Sequence, residues 1–509
     1  MASILRWTNF AFMLAVVPLF LGCAHVEPNQ DYQRVNEHLQ QTTDVEMGYT
    51  PGDLAVMERV DELQREGLTV DEAVQLCVLN NPTLQAEYAS VGIARADVAQ
   101  SGLFSNPSLA FSVQFPEGGG RSNIQASLAQ NIVDLWQIPV RKRAAERSLD
   151  EAILRLARTA SQLCIDTKVA YYAALAADES HSIAQENLHL TGSLLDVALA
   201  QQTAGIVGEL DVNLNRQTVL GSQLEVQQTR LDASTARRRL AVLLGLIGFA
   251  DDLALTTPLP TNTHLQASDE LLFEIATEHR LDLRAAKKAA EAAGARVELE
   301  YRKIIPEFSL GGAMERNERR ALGGRKLLAD TALASVANRE LTAPDIQTRG
   351  ERDLERRQEI EAMFGPAFTL TLPIFDQNQA QIAKARFVYE QALKQVDALE
   401  RAIVQEIRQS LDQLQTAADI VSFYEGSLLP QALSNLDLSR SSYEIGRTSV
   451  IIVLDAQRNL LTARRAAVTA RQNAATAVAE VERTTAQPFR ALGALSTPDS
   501  QPTTAPTDK

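Results

Sequence analysis

The chain has 509 residues, of which 45% are hydrophobic but only 5% aromatic, and its formal net charge is -15. That balance excludes a nucleic-acid binder, which needs a basic footprint, and three Cys supply no disulfide framework. A composition rich in Ala, Leu, Gln, Arg and Glu predicts long helices in thin layers rather than a thick globular core.

Arg6 and the apolar run from Phe10 to Leu21 read as a signal peptide over residues 1–22, too short to span a membrane as a helix. The run ends in Leu19-Phe20-Leu21-Gly22-Cys23, which resembles the bacterial lipoprotein processing box, although Phe20 and Leu21 depart from its usual residues. The resemblance implies a lipidated (palmitate-bearing) Cys23, and Ala24 after it implies the outer membrane. The plain alternative is an incidental Cys beside an ordinary cleavage site. No later stretch offers about 18 consecutive apolar residues, so a membrane crossing would have to use strands.

Residues 23–67 are polar with little period and read as an anchored tether and embracing segment ahead of the first packed helix. The first repeat spans 68–247. Thr69 with Glu72 is a capping-box start for a helix that runs to Asn81-Pro82, and a second helix runs from Thr83 to about Gly102. From Pro107 to Phe115, Leu109, Phe111, Val113 and Phe115 alternate with polar residues, and after the turn at Gly118-Gly119-Gly120 the stretch Ser122 to Ile132 alternates again. This hairpin has the strand length of a tilted barrel crossing, though a soluble hairpin reads the same locally. A helix of roughly 70 residues, about 105 Å long, then runs from Asp134 to Thr203. It reverses at Ala204-Gly205-Ile206 into another from about Leu210 to Leu246.

A crossover over 248–267, with Pro258 and Pro260, leads into a second repeat at 268–486. A helix from Asp269 to Lys303 carries Arg280-Leu281-Asp282 where the first copy has Asn81-Pro82. Strands are expected from Pro306 to Met314 and from Phe364 to Ile374, separated by a loop at 315–363 with helix propensity and balanced charge. Pro373 ends the second strand, Asp376 caps the next helix, and that helix runs to Glu444. Its seam steps through Ile382, Tyr389, Val396 and Ile403, then shifts by four to Ile407, Leu414, Val421 and Leu428, a stutter in a coiled coil. A reversal at Ile445-Gly446-Arg447 comes next, and 487–509 reads as a disordered tail.

Four strands cannot close a barrel, and an open sheet edge cannot face lipid, so several chains must contribute. The expected fold is mostly α with membrane β-strands, built from a duplicated unit. The junction Leu372 to Ala385 (LPIFDQNQAQIAKA) and the segment Tyr443 to Arg464 (YEIGRTSVIIVLDAQRNLLTAR) resemble the TolC-like outer-membrane efflux family, and the resemblance runs from about residue 68 to 486. It implies a homotrimer whose 12-stranded β-barrel continues as a 12-helix α-barrel. It also implies a periplasmic adaptor and an inner-membrane transporter of the RND type, with passive export to the exterior. The tips at Gly205, Ile206, Gly446 and Arg447 would meet the adaptor. Asp455 stands at the second of two family gate positions, but Ile452 occupies the first, which puts cation selectivity in doubt; an i−4 cap or a surface salt bridge also accounts for Asp455. Other readings are a type I secretion channel or, in a different class, a structural coiled-coil lipoprotein.

His25, His38, His181, His189, His264 and His279 are scattered, and no nucleophile is set beside a base. No catalytic residue, metal site or cofactor is expected.

Overall fold

The structure, a computed structural model, describes residues 26–43, 48–51, 54–63, 67–115, 122–246, 254–261, 263–265, 267–318, 325–341, 360–445 and 447–495. The expected signal peptide, Cys23, the turn Gly118-Gly119-Gly120 and Gly446 lie outside the described residues.

Two stretches of the tether are helical. Helix α1 (Asn29–Thr43) buries Tyr32, Val35 and Leu39, and α2 (Leu54–Leu63) comes after it. The two-turn spacing of those apolar positions is a helical stripe hidden within a polar composition. Asp31, 1% exposed at its side chain, accepts two bonds from Arg95, at 2.6 Å from Nε and 2.5 Å from Nη2. His38 on the same helix has a buried Nδ1 with no partner among the described residues. Burial lowers its pKa below 6.5, the charges of Arg284 and Arg34 lower it further, and Gln41 and Glu37 oppose only in part. A depressed folded-state pKa gives stability that is fully present above the unfolded value near 6.5 and lost as pH falls through the folded value. Amide-exchange protection of residues 29–43 is therefore expected to decline on acidification below about pH 6.5. His38→Gln should flatten that dependence; an unchanged pH profile in the variant would remove His38 as its cause.

Helix α3 (Val70–Asn80) opens with the expected capping box: Glu72 N–H donates to Thr69 Oγ1 at 3.2 Å, and Thr69 N–H donates to Glu72 Oε2 at 2.8 Å. Helix α4 is Pro82–Ser101. Strands β1 (Ser108–Gln114) and β2 (Asn123–Asn131) lead to α5 (Asp134–Thr203, 70 residues) and α6 (Glu209–Leu243). Asn80 and Asn81 then close the end of α6, donating from Nδ2 to the carbonyls of Leu244 at 2.9 Å and Leu243 at 2.8 Å.

In the second copy the helix expected from Asp269 to Lys303 is two helices, α7 (Asp269–His279) and α8 (Leu281–Arg302). Arg280 adopts an extended conformation between them, matching the break at Asn81. Its buried guanidinium meets Asp282 at 2.7 Å and Glu406 at 2.7 Å. Strand β3 (Phe308–Glu318), α9 (Arg325–Asn338) and β4 (Ile360–Leu370) come next. Thus β3 runs four residues beyond Met314 into the expected loop, and β4 enters it from the other side.

The strand-to-helix junction is less direct than expected. β4 ends at Leu370 and α10 (Gln379–Phe423) begins only at Gln379. Asp376 caps no helical turn: its Oδ1 accepts from Asn378 N–H at 2.8 Å in a local turn, and Asn378, at φ 61°, supplies the carbonyl that receives Ile382 N–H. The helix beyond is also interrupted. A π turn (Tyr424–Leu428) separates α10 from α11 (Leu429–Glu444). Pro430 has no N–H for the carbonyl of Gly426, so a wider turn relieves the ring's clash there. The extra residue moves the seam on by one, so Leu428 is 37% exposed while Leu436 and Tyr443 are buried. The stutter itself is as expected, with Ile403, Ile407, Leu414 and Val421 all buried.

Helix α12 (Val450–Thr485) precedes α13 (Phe489–Leu495), so the expected disordered tail begins with a helix. Leu492 is 1% exposed among Leu272, Leu283, Ile403 and Val481, and Glu482 accepts from Phe489 N–H at 2.9 Å. The chain divides into two compact units, one of residues 99–145 and 293–388, which holds the sheet, and one of the remaining helical segments.

Candidate channel wall and helix tips

The four strands form one antiparallel sheet in the order β1-β2-β3-β4. Directly opposed residues share a face, so register sorts the side chains. Leu109, Phe111 and Val113 pair with Leu128, Ala126 and Ile124. Ala126 and Leu128 pair in turn with Met314 and Gly312, and these with Phe364 and Pro366. The result is one continuous apolar face, on which Leu109 is 73% exposed, Phe111 67%, Phe364 73% and Phe368 72%. The other face carries Ser108, Ser112, Gln125, Ser127, Ser309, Glu315, Asn317 and Thr369 among Ala and Gly, with Met363, 50% exposed, as its one large apolar side chain among the described residues.

A sheet that leaves large apolar side chains bare on one side and polar ones on the other suits lipid against water. Each Phe or Leu moved out of water there contributes roughly 2 kcal/mol. Strands β1 and β4 have no further neighbour among the described strands. Below the strands, Asp134 ties the start of α5 to the preceding turn: its Oδ2 accepts from Ser105 N–H at 2.7 Å and Ser105 Oγ at 2.6 Å. Burial pushes its carboxyl up, but those bonds and the charge of Arg141 hold it below the ordinary carboxylate range. At the second junction Asn378 Nδ2 donates instead to Glu300 Oε2 at 2.7 Å.

At the tip between α5 and α6, Gly205 has φ 70°, which favours a residue without Cβ. Ile206 N–H reaches back to Gln201 carbonyl at 2.9 Å, closing the helix as a Schellman turn does. Arg447 N–H makes the same closure onto Ser442 carbonyl at 2.9 Å in the second tip. Both tips present bare apolar groups, with Ile206 68% and Ile445 65% exposed, and Arg447 is exposed beside them.

Asp455 lies on an exposed face of α12 one turn beyond Ile452, which is 49% exposed. Its Oδ2 accepts from Asn459 Nδ2 at 3.4 Å, one turn along the same helix; among the described residues it has no ion-pair partner. The carboxylate of Asp455 is therefore exposed, with the half-exposed Ile452 one turn before it.

Sequence reasoning missed the ladder that joins α12 to α5. Lys168 meets Glu482 at 2.7 Å, Arg471 meets Glu179, and Arg464 meets Glu186 at 3.0 Å. Toward the tips, Gln457 of α12 donates to Asn187 at 2.8 Å, and Tyr443 of the neighbouring α11 donates to Gln201 at 2.7 Å. Leaving Tyr443 aside, the partners fall in number on α5 as they rise on α12, and the seven-residue step from Arg464 to Arg471 answers that from Glu186 to Glu179. This heptad charge pattern is the signal in the sequence that could have found it.

Among the described residues no reactive chemistry assembles elsewhere. His181 Nδ1 meets Thr229 Oγ1 at 3.0 Å across two helices. Cys77 and Cys164 are buried, which pushes the Cys77 thiol up to about 11 and the Cys164 thiol higher still, so neither is a nucleophile at neutral pH. Among the described residues no group of carboxylates, Cys and His could hold a metal, and no helix is long and apolar enough to cross a membrane.

Residues 73–246 and 272–487 match the family model described as outer membrane efflux protein. The chain is 22% identical over 400 residues to the cobalt-zinc-cadmium resistance protein CzcC of Cupriavidus metallidurans, covering 77% of this chain and 84% of that protein. It is 25% identical to the pyoverdine export outer membrane protein OpmQ of Pseudomonas putida over 48% of this chain and 55% of the relative. In fold it is similar to the open-state MtrE outer membrane channel of Neisseria gonorrhoeae, with a TM-score of 0.62 at 17% identity, over 82% of this chain and 89% of the other.

Proposed function

The chain belongs to the outer membrane efflux protein family, and from that premise we propose that three copies form one export duct. Membership makes it an outer-membrane efflux channel rather than an enzyme. The observation that carries the trimer is the two-faced sheet whose β1 and β4 edges lack partners among the described strands. Backbone groups at such edges go unpaired in lipid, and pairing β1 of one copy with β4 of the next satisfies them in a twelve-stranded barrel. The long helical pairs extend the pore as a twelve-helix tunnel into the periplasm. Cys23 carries the lipid anchor.

The partners proposed are a periplasmic adaptor and an inner-membrane transporter of the RND type. Gly205, Ile206, Gly446 and Arg447 supply the docking tips, and Asp455 lines the periplasmic gate. The two relatives bear names with different cargoes, a set of metal ions and pyoverdine, which supports leaving cargo choice to the pump.

Detergent-extracted protein should run as a trimer and conduct ions in planar bilayers. A monomer, or bilayers without conductance, would refute the duct. Cys23→Ser should lose the lipid mass yet keep the conductance. Ile206→Asp separates docking from conduction: efflux in cells should fall about tenfold or more with bilayer conductance unchanged, since a charge inside an apolar contact costs several kcal/mol. Equal losses in both assays would remove Ile206 from the docking surface.

A further inference from the structure

We infer that Glu315 forms an ion-selecting ring inside the outer end of the barrel, a conclusion that rests on the trimeric pore proposed above. In register, Glu315 opposes Gln125 on β2 and Met363 on β4, and Gln125 opposes Ser112 on β1, all on the same face. That row lies next to the β1–β2 turn, the end of the sheet away from α5 and α10. Gln125 Nε2 donates to Glu315 Oε1 at 3.2 Å, and Asn317 Nδ2 donates to the same oxygen at 2.8 Å.

Both donors are neutral amides, so they orient the carboxylate without cancelling its charge. Among the described residues no Lys, Arg or His stands on the polar face of the four strands, while Arg316 registers with Ile124 on the apolar face. Glu361 occupies a position of the same parity, its backbone paired with Asn317. Three-fold assembly gathers the Glu315 carboxylates around a lumen with low-dielectric walls, where field lines focus. Rings of acidic side chains select cations in this way.

The test is the reversal potential of single channels under a KCl gradient, for wild type, Glu315→Gln, Glu315→Lys and Asp455→Asn. Wild type should be cation-selective. Glu315→Gln should lower the cation-to-anion permeability ratio by about twofold or more, and Glu315→Lys should lower it further. Asp455→Asn should change it less than Glu315→Gln does. In wild type, raising the salt from about 0.1 M to 1 M shrinks the screening length from about 10 Å to 3 Å and should weaken selectivity without any substitution. Conducting Glu315→Gln channels with an unchanged reversal potential, or a larger change in Asp455→Asn, would reduce Glu315 to a cross-strand hydrogen bond and leave the pore standing. Wild-type protein that never conducts would end both readings.

Discussion

Gly311→Ala is expected to abolish assembly of the barrel, while Gly312→Ala, one residue along the same strand, leaves it intact. A Cβ on Gly311 would overlap the carbonyl oxygen of Leu128 and stand 2.7 Å from the Cα of Ala129, both backbone atoms of the neighbouring strand. Side-chain rotation cannot relieve such a clash; β2 and β3 would have to part at the register Gly311↔Ala129. The strain and broken ladder bonds cost about 3 kcal/mol or more per chain, and assembly repeats that cost in each copy. A Cβ on Gly312 meets nothing nearer than Gly365 carbonyl at 3.9 Å, an ordinary contact. The amount of heat-resistant oligomer in membrane fractions reads the difference. Equal oligomer from both variants would show that the strands do not approach as closely as this.

The second large effect is expected at Arg280, whose side chain is 5% exposed. It donates to Asp282 Oδ1 at 3.0 Å and Oδ2 at 2.7 Å and to Glu406 Oε2 at 2.7 Å, while Arg483 stands 3.7 Å from Glu406. Arg280→Met keeps the aliphatic stem but strands a buried carboxylate, at about 3 kcal/mol; Arg483 retains part of the Glu406 interaction. Replacing both partners, Arg280→Met with Asp282→Leu, should recover much of the loss, because no buried charge is then left alone. Thermal unfolding of the detergent-extracted protein measures both. The pH dependence gives a further check. Burial raises the Asp282 carboxyl, but the bonds and charge of Arg280 outweigh burial and hold it below its ordinary 3.8. A depressed folded-state pKa stabilises above the unfolded value and loses that stabilisation as pH falls through the folded value, so wild type should weaken in strong acid through this pair. Arg280→Met should lose that part of the acid sensitivity; a double variant no more stable than Arg280→Met would contradict the stranded-charge explanation.

The elements legible in the sequence are those with a local cause. Thr69 and Glu72 satisfy each other three residues apart, so their capping box can be read directly. Leu109, Phe111 and Val113 share a strand face wherever that strand sits, and Asp134 to Thr203 meets no breaker able to stop a helix after Pro139. The tips are legible because a reversal between long helices needs a residue such as Gly205 at positive φ.

The illegible features depend on partners far along the chain. The tether looks polar because its buried positions are few, and one of them is Asp31, whose closest charge partner, Arg95, reaches it from α4. The break at Arg280 depends on Glu406, 126 residues away. Leu428 fits the heptads, yet the wide turn ahead of Pro430 rotates it outward. Asp376 aligns with Asp134 but has no counterpart of Ser105 among its contacts, so the same residue type holds the preceding turn in one copy and closes a local turn in the other.

By itself the sequence determined the duplicated unit, the strands with their two unlike faces, the long helices and the positions of their reversals, because periodicity and backbone restrictions act over a few residues. Only the tertiary structure decided which strand edges lack neighbours, which charges are buried in pairs and where the helices break. Those outcomes depend on groups brought together from distant parts of the chain, and no short window of sequence contains both members of such a pair.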